Sequence, residues 1–241
     1  MKLKRKKSPL TALTCASLLG SAALSQAALT IGDIISVNFN SVASTNTPTG
    51  AAVIGQSGDI WTEIFKASWD QSVNGTYALN KTTGASSGVS LAFAGDAGSH
   101  GNGPVTNLDV FESGFFLDAN GGGYNESATI TLSGLGAGTI IDLYLYAAAG
   151  HTAGEGATFN FGSSQTTTDA NTTETAYQLG VNYVKYAGLV ADGSGNISGT
   201  WTKATASNYS VFSGAQIAVI PEPSAAILGG LGMLALLRRR R

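Results

Sequence analysis

Residues 127–146 carry the clearest local pattern of the chain and read SATITLSGLGAGTIIDLYLY. In the first half Ile130 and Leu132 alternate with threonines, and in the second half Ile141 and Leu143 alternate with polar or aromatic residues. A period of two residues is typical of a β-strand with one buried face. The stretch therefore predicts two strands joined through a glycine-rich link, in the manner of a hairpin.

Short runs of β-branched and aromatic residues recur along the rest of the chain, separated by glycines. They predict strands near residues 34–39, 61–65, 89–93, 128–132, 140–147, 157–161, 183–191, 196–203 and 210–219. A second hairpin is predicted at Asp192–Asn196, because Asp-Gly and Gly-Asn supply the positive φ of tight turns. With no helix between them, these strands favour an antiparallel β-sandwich over a parallel sheet.

The segment from Ser133 to Tyr146 is also similar to the central hairpin of galactose-binding-like jelly rolls, a resemblance that extends to the last predicted strand. It implies a jelly-roll-like rather than an immunoglobulin-like topology. We therefore expect an all-β, jelly-roll-like ectodomain over residues 28–219, flanked by an N-terminal signal helix and a short C-terminal membrane helix.

The N-terminal end has the signature of a secretory signal peptide. Five basic residues precede Ser8, an apolar stretch covers residues 10–24, and Ser25-Gln26-Ala27 is a small-x-small site. We expect export by the general secretion machinery and cleavage by signal peptidase after Ala27. A lipid-modified Cys15 is the less favoured alternative, since a lipoprotein pattern does not precede it.

The C-terminal end combines Pro221-Glu222-Pro223, an uncharged apolar run over residues 224–237 and the basic block Arg238–Arg241. The prolines fix φ and remove backbone donors, so the tripeptide stays extended and accessible. A helix over the apolar run would be about 21 Å long, short of a full membrane span. Terminal arginines can snorkel to the interface, and they argue against the alternative of a helix buried in the domain core.

Together these C-terminal features, residues 220–241, resemble the PEP-CTERM sorting signal of Gram-negative bacteria. In that family the tripeptide is recognised by an exosortase, a membrane-embedded cysteine transpeptidase that removes the tail. The resemblance implies transient anchoring in the inner membrane, with Arg238, Arg239, Arg240 and Arg241 as the membrane stop, followed by release to the outer surface or the extracellular space. It also implies a link to exopolysaccharide, and so a role in a biofilm matrix.

Charge is distributed very unevenly along the chain. Residues 28–223 hold all 15 acidic residues and only four of the 13 basic ones, which gives this segment a net charge of −11. Such a domain repels nucleic acid, so no nucleic-acid partner is expected. The basic ends are expected on the cytoplasmic side of the membrane. After leader removal no cysteine remains, so disulfides cannot stabilise the domain.

Catalytic motifs are weak in this sequence. His100 and His151 lie in glycine-rich polar surroundings, and no Gly-x-Ser-x-Gly elbow occurs on a strand-to-helix turn. The glycines at 121–123 lack the lysine of a phosphate-binding loop. We therefore expect a protein that is not an enzyme.

No cofactor is expected, although one loop is a weak candidate for calcium. Asp118, Asn120 and Glu126 could supply the oxygen ligands that calcium prefers. The spacing departs from an EF-hand, since Thr129 stands where the bidentate glutamate should be. A turn capped by Asp and Asn explains the loop equally well.

Aromatic side chains suggest a rival function. Tyr144 and Tyr146 are predicted on the outer face of their strand and, with Trp201, could stack against sugar rings of a polysaccharide; core packing is favoured for at least two of the tryptophans. The first alternative to a matrix protein is accordingly a carbohydrate-binding module. The second is a polysaccharide-active hydrolase, whose paired carboxylates sequence alone cannot locate.

Overall fold

The computed structural model describes residues 29–41, 47–68, 71–95, 97–101, 108–118, 126–148, 154–170, 175–204 and 209–222. The described residues form β-strands and one short 3-10 helix, Asp109–Phe111. The strands are β1 (Ile34–Ser41), β2 (Thr62–Lys66), β3 (Gly75–Asn80), β4 (Ser86–Gly95), β5 (Gly98–Gly101), β6 (Ser113–Asp118), β7 (Ser127–Ser133), β8 (Ile140–Tyr146), β9 (Ala157–Asn160), β10 (Ser164–Thr166), β11 (Tyr183–Val190), β12 (Ile197–Lys203), β13 (Tyr209–Phe212) and β14 (Gly214–Val219).

Every strand expected from the sequence is present, and the last one is divided at Ser213 into β13 and β14. The strands β3, β5, β6 and β10 were not expected, because most of them are short or rich in glycine and polar residues. The signal peptide and the C-terminal membrane helix were expected in segments that lie outside the described residues. Within the described ranges, no helix has both the length and the apolar character needed to cross a bilayer.

The strands form three sheets. A five-stranded sheet has the order β11-β8-β14-β1-β2, a six-stranded sheet has the order β10-β9-β12-β7-β4-β3, and a smaller sheet has the order β13-β6-β5. Among the described pairs, β1 and β2 are parallel and the other ladders are antiparallel. The inward side chains of the two large sheets form one apolar core. The coarse prediction of an all-β sandwich is confirmed.

The two predicted hairpins are wrong. β7 pairs with β4 and β12, whereas β8 pairs with β11 and β14, so the glycine-rich link crosses from one sheet to the other. The turn at Asp192–Asn196 likewise joins β11 of one sheet to β12 of the other. Alternation identifies the buried face of a strand but not its hydrogen-bonding partner, and a link of several residues can cover the roughly 10 Å between packed sheets.

The two crossings lie against each other. The N–H of Leu135 donates to the carbonyl of Gly195 at 3.1 Å, and the N–H of Gly138 donates to the carbonyl of Ala191 at 3.1 Å. A Cβ added at Gly195 would come within 2.9 Å of the backbone nitrogen of Gly136. Glycine is thus needed where these backbones approach closely.

A cluster of phenylalanines connects the smaller sheet to the main core. The ring of Phe39 stacks on Phe115 with centroids 4.6 Å apart, and it meets Phe93 and Phe212 edge-on. Phe115 belongs to β6 and Phe212 to β13, so these rings fix the small sheet against the sandwich. Ring pairs in these geometries add to the stabilisation that burial supplies.

The outer face of the five-stranded sheet is covered as well. Trp61, Val110, Phe111, Tyr144, Tyr146 and Ala148 form a second apolar cluster, and Ala52, Val53, Ile54, Leu108, Tyr177 and Tyr183 pack against it. The covering residues come from the segment before β2, from the 3-10 helix and from the segment before β11. This face is therefore a second, smaller core.

Candidate functional site

The two ends of the ectodomain meet at one place on the sandwich. β1 and β14 are antiparallel neighbours, with Ile34 opposite Ala218. Beyond the end of this ladder the N–H of Gly32 donates to the carbonyl of Val219 at 3.0 Å, and the N–H of Val219 donates to the carbonyl of Asp33 at 3.0 Å. The chain therefore enters and leaves the domain side by side.

The predicted sorting motif follows this ladder directly. The N–H of Ile220 still donates to the carbonyl of Ile140 at 3.0 Å, and the next two residues, Pro221 and Glu222, are exposed. Proline has no N–H and cannot extend the ladder, which explains why pairing stops at this point. Pro223 lies outside the described residues, as do Ala27 and Arg238–Arg241.

The segment between the predicted signal-peptide cleavage position and the folded domain is also short. Leu29, the first described residue, packs against the main core. Asp33 then accepts hydrogen bonds from the N–H of Thr30 at 2.7 Å and from its hydroxyl at 3.0 Å. Only Ala28 separates the predicted cleavage position after Ala27 from the first packed side chain.

The expected exposure of Tyr144 and Tyr146 is wrong. Their side chains do lie on the face opposite to the main core, but Tyr144 is only 7% exposed and Tyr146 is fully buried. The ammonium of Lys185 lies 5.1 Å from the centroid of the Tyr144 ring and pairs with Asp142 at 2.7 Å. Residues distant in sequence cover this face, so neither ring is presented to a polysaccharide.

The hydroxyl of Tyr146 is hydrogen-bonded within the protein interior. Its hydroxyl donates to Oε1 of Gln216 at 2.5 Å and accepts from the N–H of Val53 at 3.2 Å. Burial raises the pKa of Tyr146 well above its ordinary value, so the side chain stays neutral.

Trp201 is fully buried in the main core. Its Nε1 donates to the hydroxyl of Ser210 at 2.8 Å, which satisfies the indole N–H inside the protein. Trp61 is 5% exposed and belongs to the second cluster. The expectation that at least two tryptophans pack in the interior is confirmed, and Trp201 has no face available for a sugar.

The weak calcium candidate lies partly outside the described residues. Asp118 ends β6 opposite Tyr209, Asn120 lies outside the described residues, and the exposed Glu126 faces Lys203 at 4.0 Å. Across the described ranges, no group of three or more His, Cys, Asp or Glu side chains is arranged to hold a metal ion. Of the two histidines, His100 lies in β5 opposite Gly114, and His151 is outside the described residues.

Sequence reasoning missed a buried carboxyl group at Glu155. The residue is 9% exposed, and burial raises its pKa from 4.5 to about 7. Its N–H donates to Oδ2 of the fully buried Asp169 at 2.9 Å. Glu155 stands between two glycines, a context that gives no sign of burial, so only the fold identifies it.

Comparison with known proteins yields little. No family model matches the chain, and no curated protein matches it. Among solved structures, the enzymatically active domain of tailspike protein 4 from bacteriophage CBA120 is similar over 56% of this chain and 19% of that chain, at 18% identity and a TM-score of 0.26. The chain spans about a fifth of the length of that protein.

Proposed function

We propose that this chain is an exported, non-enzymatic protein of the cell surface or extracellular matrix, sorted and processed through Pro221-Glu222-Pro223 by an exosortase-type transpeptidase. The observation that carries the proposal is the position of the motif. Its described residues are exposed directly after the last core strand, next to the point where the N-terminal segment enters the domain.

The C-terminal tail would hold the protein in the membrane once signal peptidase has removed the leader after Ala27. An apolar tail after Pro223 would insert into the bilayer, so the folded domain has to present its C-terminal end to that surface. Pro221 and Glu222 are exposed at that end, and the pairing of Gly32 with Val219 leaves β1 and β14 intact.

The finer parts of the proposal rest on sequence features. A link to exopolysaccharide follows from the resemblance of the C-terminal signal, and a net charge of −11 between residues 28 and 223 suits a hydrated extracellular domain that anionic lipid repels. Jelly-roll topology follows only from the resemblance of residues 133–146, which cross between the sheets and do not form the hairpin on which that resemblance was based. The carbohydrate-binding alternative loses the support of Tyr144 and Trp201, because both side chains are buried.

The experiment is intact-mass spectrometry of the protein from the envelope and the medium of its host, comparing wild type with Glu222→Ala. We expect a wild-type mass that ends near Pro223 and a variant that keeps its tail in the inner membrane. Glu126→Ala is the matched control, since it removes another exposed glutamate far from the motif, and it should be processed like wild type. An intact C-terminus in wild type, or equal processing of Glu222→Ala, would overturn the proposal.

A further inference from the structure

A polar groove of about 300 Å³ opens beside the chain ends. Three segments line it: the turn that precedes β1, the end of the segment before β2, and the turn between β3 and β4. The lining residues are Gly32, Asp33, Ile34, Gly55, Gln56, Asp59, Lys81, Thr82 and Thr83. None of them is aromatic, which distinguishes this groove from the predicted tyrosine site.

Two carboxylates flank the groove. Thr82 lies between their segments, since its N–H donates to the carbonyl of Ile34 at 2.9 Å and its carbonyl accepts from the N–H of Ile60 at 2.8 Å. Two segments joined by such a hydrogen bond lie about one strand spacing apart. Because two of these spacings separate Asp33 from Asp59, their backbones are on the order of 10 Å apart. A small ligand between them can contact both.

Asp59 has an unused hydrogen-bonding oxygen. The residue is 6% exposed, and its Oδ2 accepts from the N–H of Gln56 at 2.9 Å. Within the described part of the chain, its Oδ1 makes no hydrogen bond and stays accessible to solvent. A solvent-accessible carboxylate oxygen can accept a hydrogen bond from a ligand hydroxyl or ammonium group.

Asp33 and Lys81 supply an acceptor and a donor on the opposite wall. Oδ2 of Asp33 accepts from Nζ of Lys81 at 2.7 Å and from Thr30, while Lys81 retains N–H groups beyond this bond. Burial by itself would raise the pKa of Asp33, but the hydrogen bonds from Lys81 and Thr30 outweigh it, and the pKa lies below its ordinary value. With two carboxylates and one ammonium, the groove carries a net charge of −1.

We propose that this groove binds a single hydroxyl-rich sugar unit, through the carboxylates of Asp33 and Asp59 and the ammonium of Lys81. Its volume is at the lower limit of ligand sites, which suits one ring rather than a chain lying across the domain. Acceptors on both walls and a donor on one match the hydroxyl groups around such a ring. The negative charge favours an amino sugar over a neutral sugar and disfavours a uronate. The inference is independent of the proposed sorting.

The test is an NMR titration of the protein, in detergent if it retains its tail, with glucosamine, glucose and glucuronate at mildly acidic pH. We expect saturable binding in the order glucosamine, glucose, glucuronate, with shifts at the amides of Gly32, Asp33, Gln56 and Thr82. Asp59→Asn should weaken glucosamine binding about tenfold and abolish its advantage over glucose, since a charged hydrogen bond is lost.

Thr83→Val provides a second variant at an exposed groove position, with Thr200→Val on an exposed face of β12 as its control. We expect weaker binding only for Thr83→Val, which keeps the test valid if Asp59→Asn does not fold. Absence of saturable binding by all three sugars overturns the proposal. So do amide shifts confined to other surfaces, or equal binding by the Thr83 and Thr200 variants.

Discussion

The hydroxyl of Tyr146 on β8 donates a 2.5 Å hydrogen bond to Oε1 of Gln216 on β14. Nε2 of Gln216 in turn donates to the hydroxyl of Ser36 at 2.9 Å and to the carbonyl of Ile54 at 3.1 Å. Both side chains are fully buried. This pair therefore joins three neighbouring strands and the covering segment, and it holds the second cluster on the outer face of the sheet.

Removing the hydroxyl should destabilise the domain. In Tyr146→Phe the N–H of Val53 loses its acceptor and Gln216 loses a donor, so we expect the free energy of unfolding to fall by about 2 kcal/mol. Urea unfolding of the variant measures the change. Tyr209→Phe, at a residue that is 39% exposed, is the control and should unfold like wild type. Equal stability of Tyr146→Phe and wild type would contradict a supporting role for the network.

The contact between the two links that cross from sheet to sheet should make Gly195 costly to replace and leave Gly193 replaceable. At Gly195, φ is +77° and an added Cβ would meet the backbone of Gly136, so we expect Gly195→Ala to lower the free energy of unfolding by about 2 kcal/mol. At Gly193 nothing lies within 4 Å of an added Cβ. Gly193→Ala should leave thermal stability unchanged or slightly raised, and a similar loss in both variants would refute this account.

Trp201 should act through stability alone. Trp201→Phe removes the indole N–H that donates to Ser210 and leaves a gap beside Phe212, whose ring centroid is 5.5 Å from that of Trp201. We expect a loss of about 2 kcal/mol in the free energy of unfolding. A double-mutant cycle with Ser210→Ala measures the coupling between the two residues, which should be about 1 kcal/mol. Additive effects of the two changes would show that the hydrogen bond contributes nothing.

Glu155 should make stability fall as pH rises. Its pKa is about 7 in the folded protein and about 4.5 in the unfolded chain, so the folded state binds the proton more tightly between these values. The contribution of protonated Glu155 is fully present below about pH 4.5 and is lost by about pH 7, with a total change of up to about 3 kcal/mol. Chemical unfolding across this range measures the slope.

Glu155→Gln should remove that slope and be more stable than wild type above neutrality. Asp169, whose Oδ2 accepts the N–H of Glu155, is kept in both proteins, so the comparison isolates the Glu155 carboxyl group. If wild type and variant show the same dependence on pH, the buried carboxyl is not the group that titrates.

Consecutive residues were enough to locate most of the strands and to predict that Pro221 is exposed. Alternation at Ile130, Leu132, Ile141 and Leu143 depends on neighbours two positions apart, and all four side chains are buried in the main core. The backbone restriction imposed by Pro221 is equally local, and Pro221 is exposed just beyond the last ladder. Because both features depend only on near neighbours in sequence, they could be predicted without knowing the sheet topology.

Pairing, coverage and burial of charge depend on contacts between distant parts of the chain. Val53 covers Tyr146 from 93 residues away, and Gln216 reaches Ser36 across 180. Whether the outer face of a sheet meets water, whether a glycine-rich link closes a hairpin or crosses between sheets, and whether Asp59 and Glu155 lose their water are all settled by such contacts. The local sequence pattern predicts which face of a strand a side chain lies on. Which residues contact that side chain is determined by the long-range packing of the folded chain.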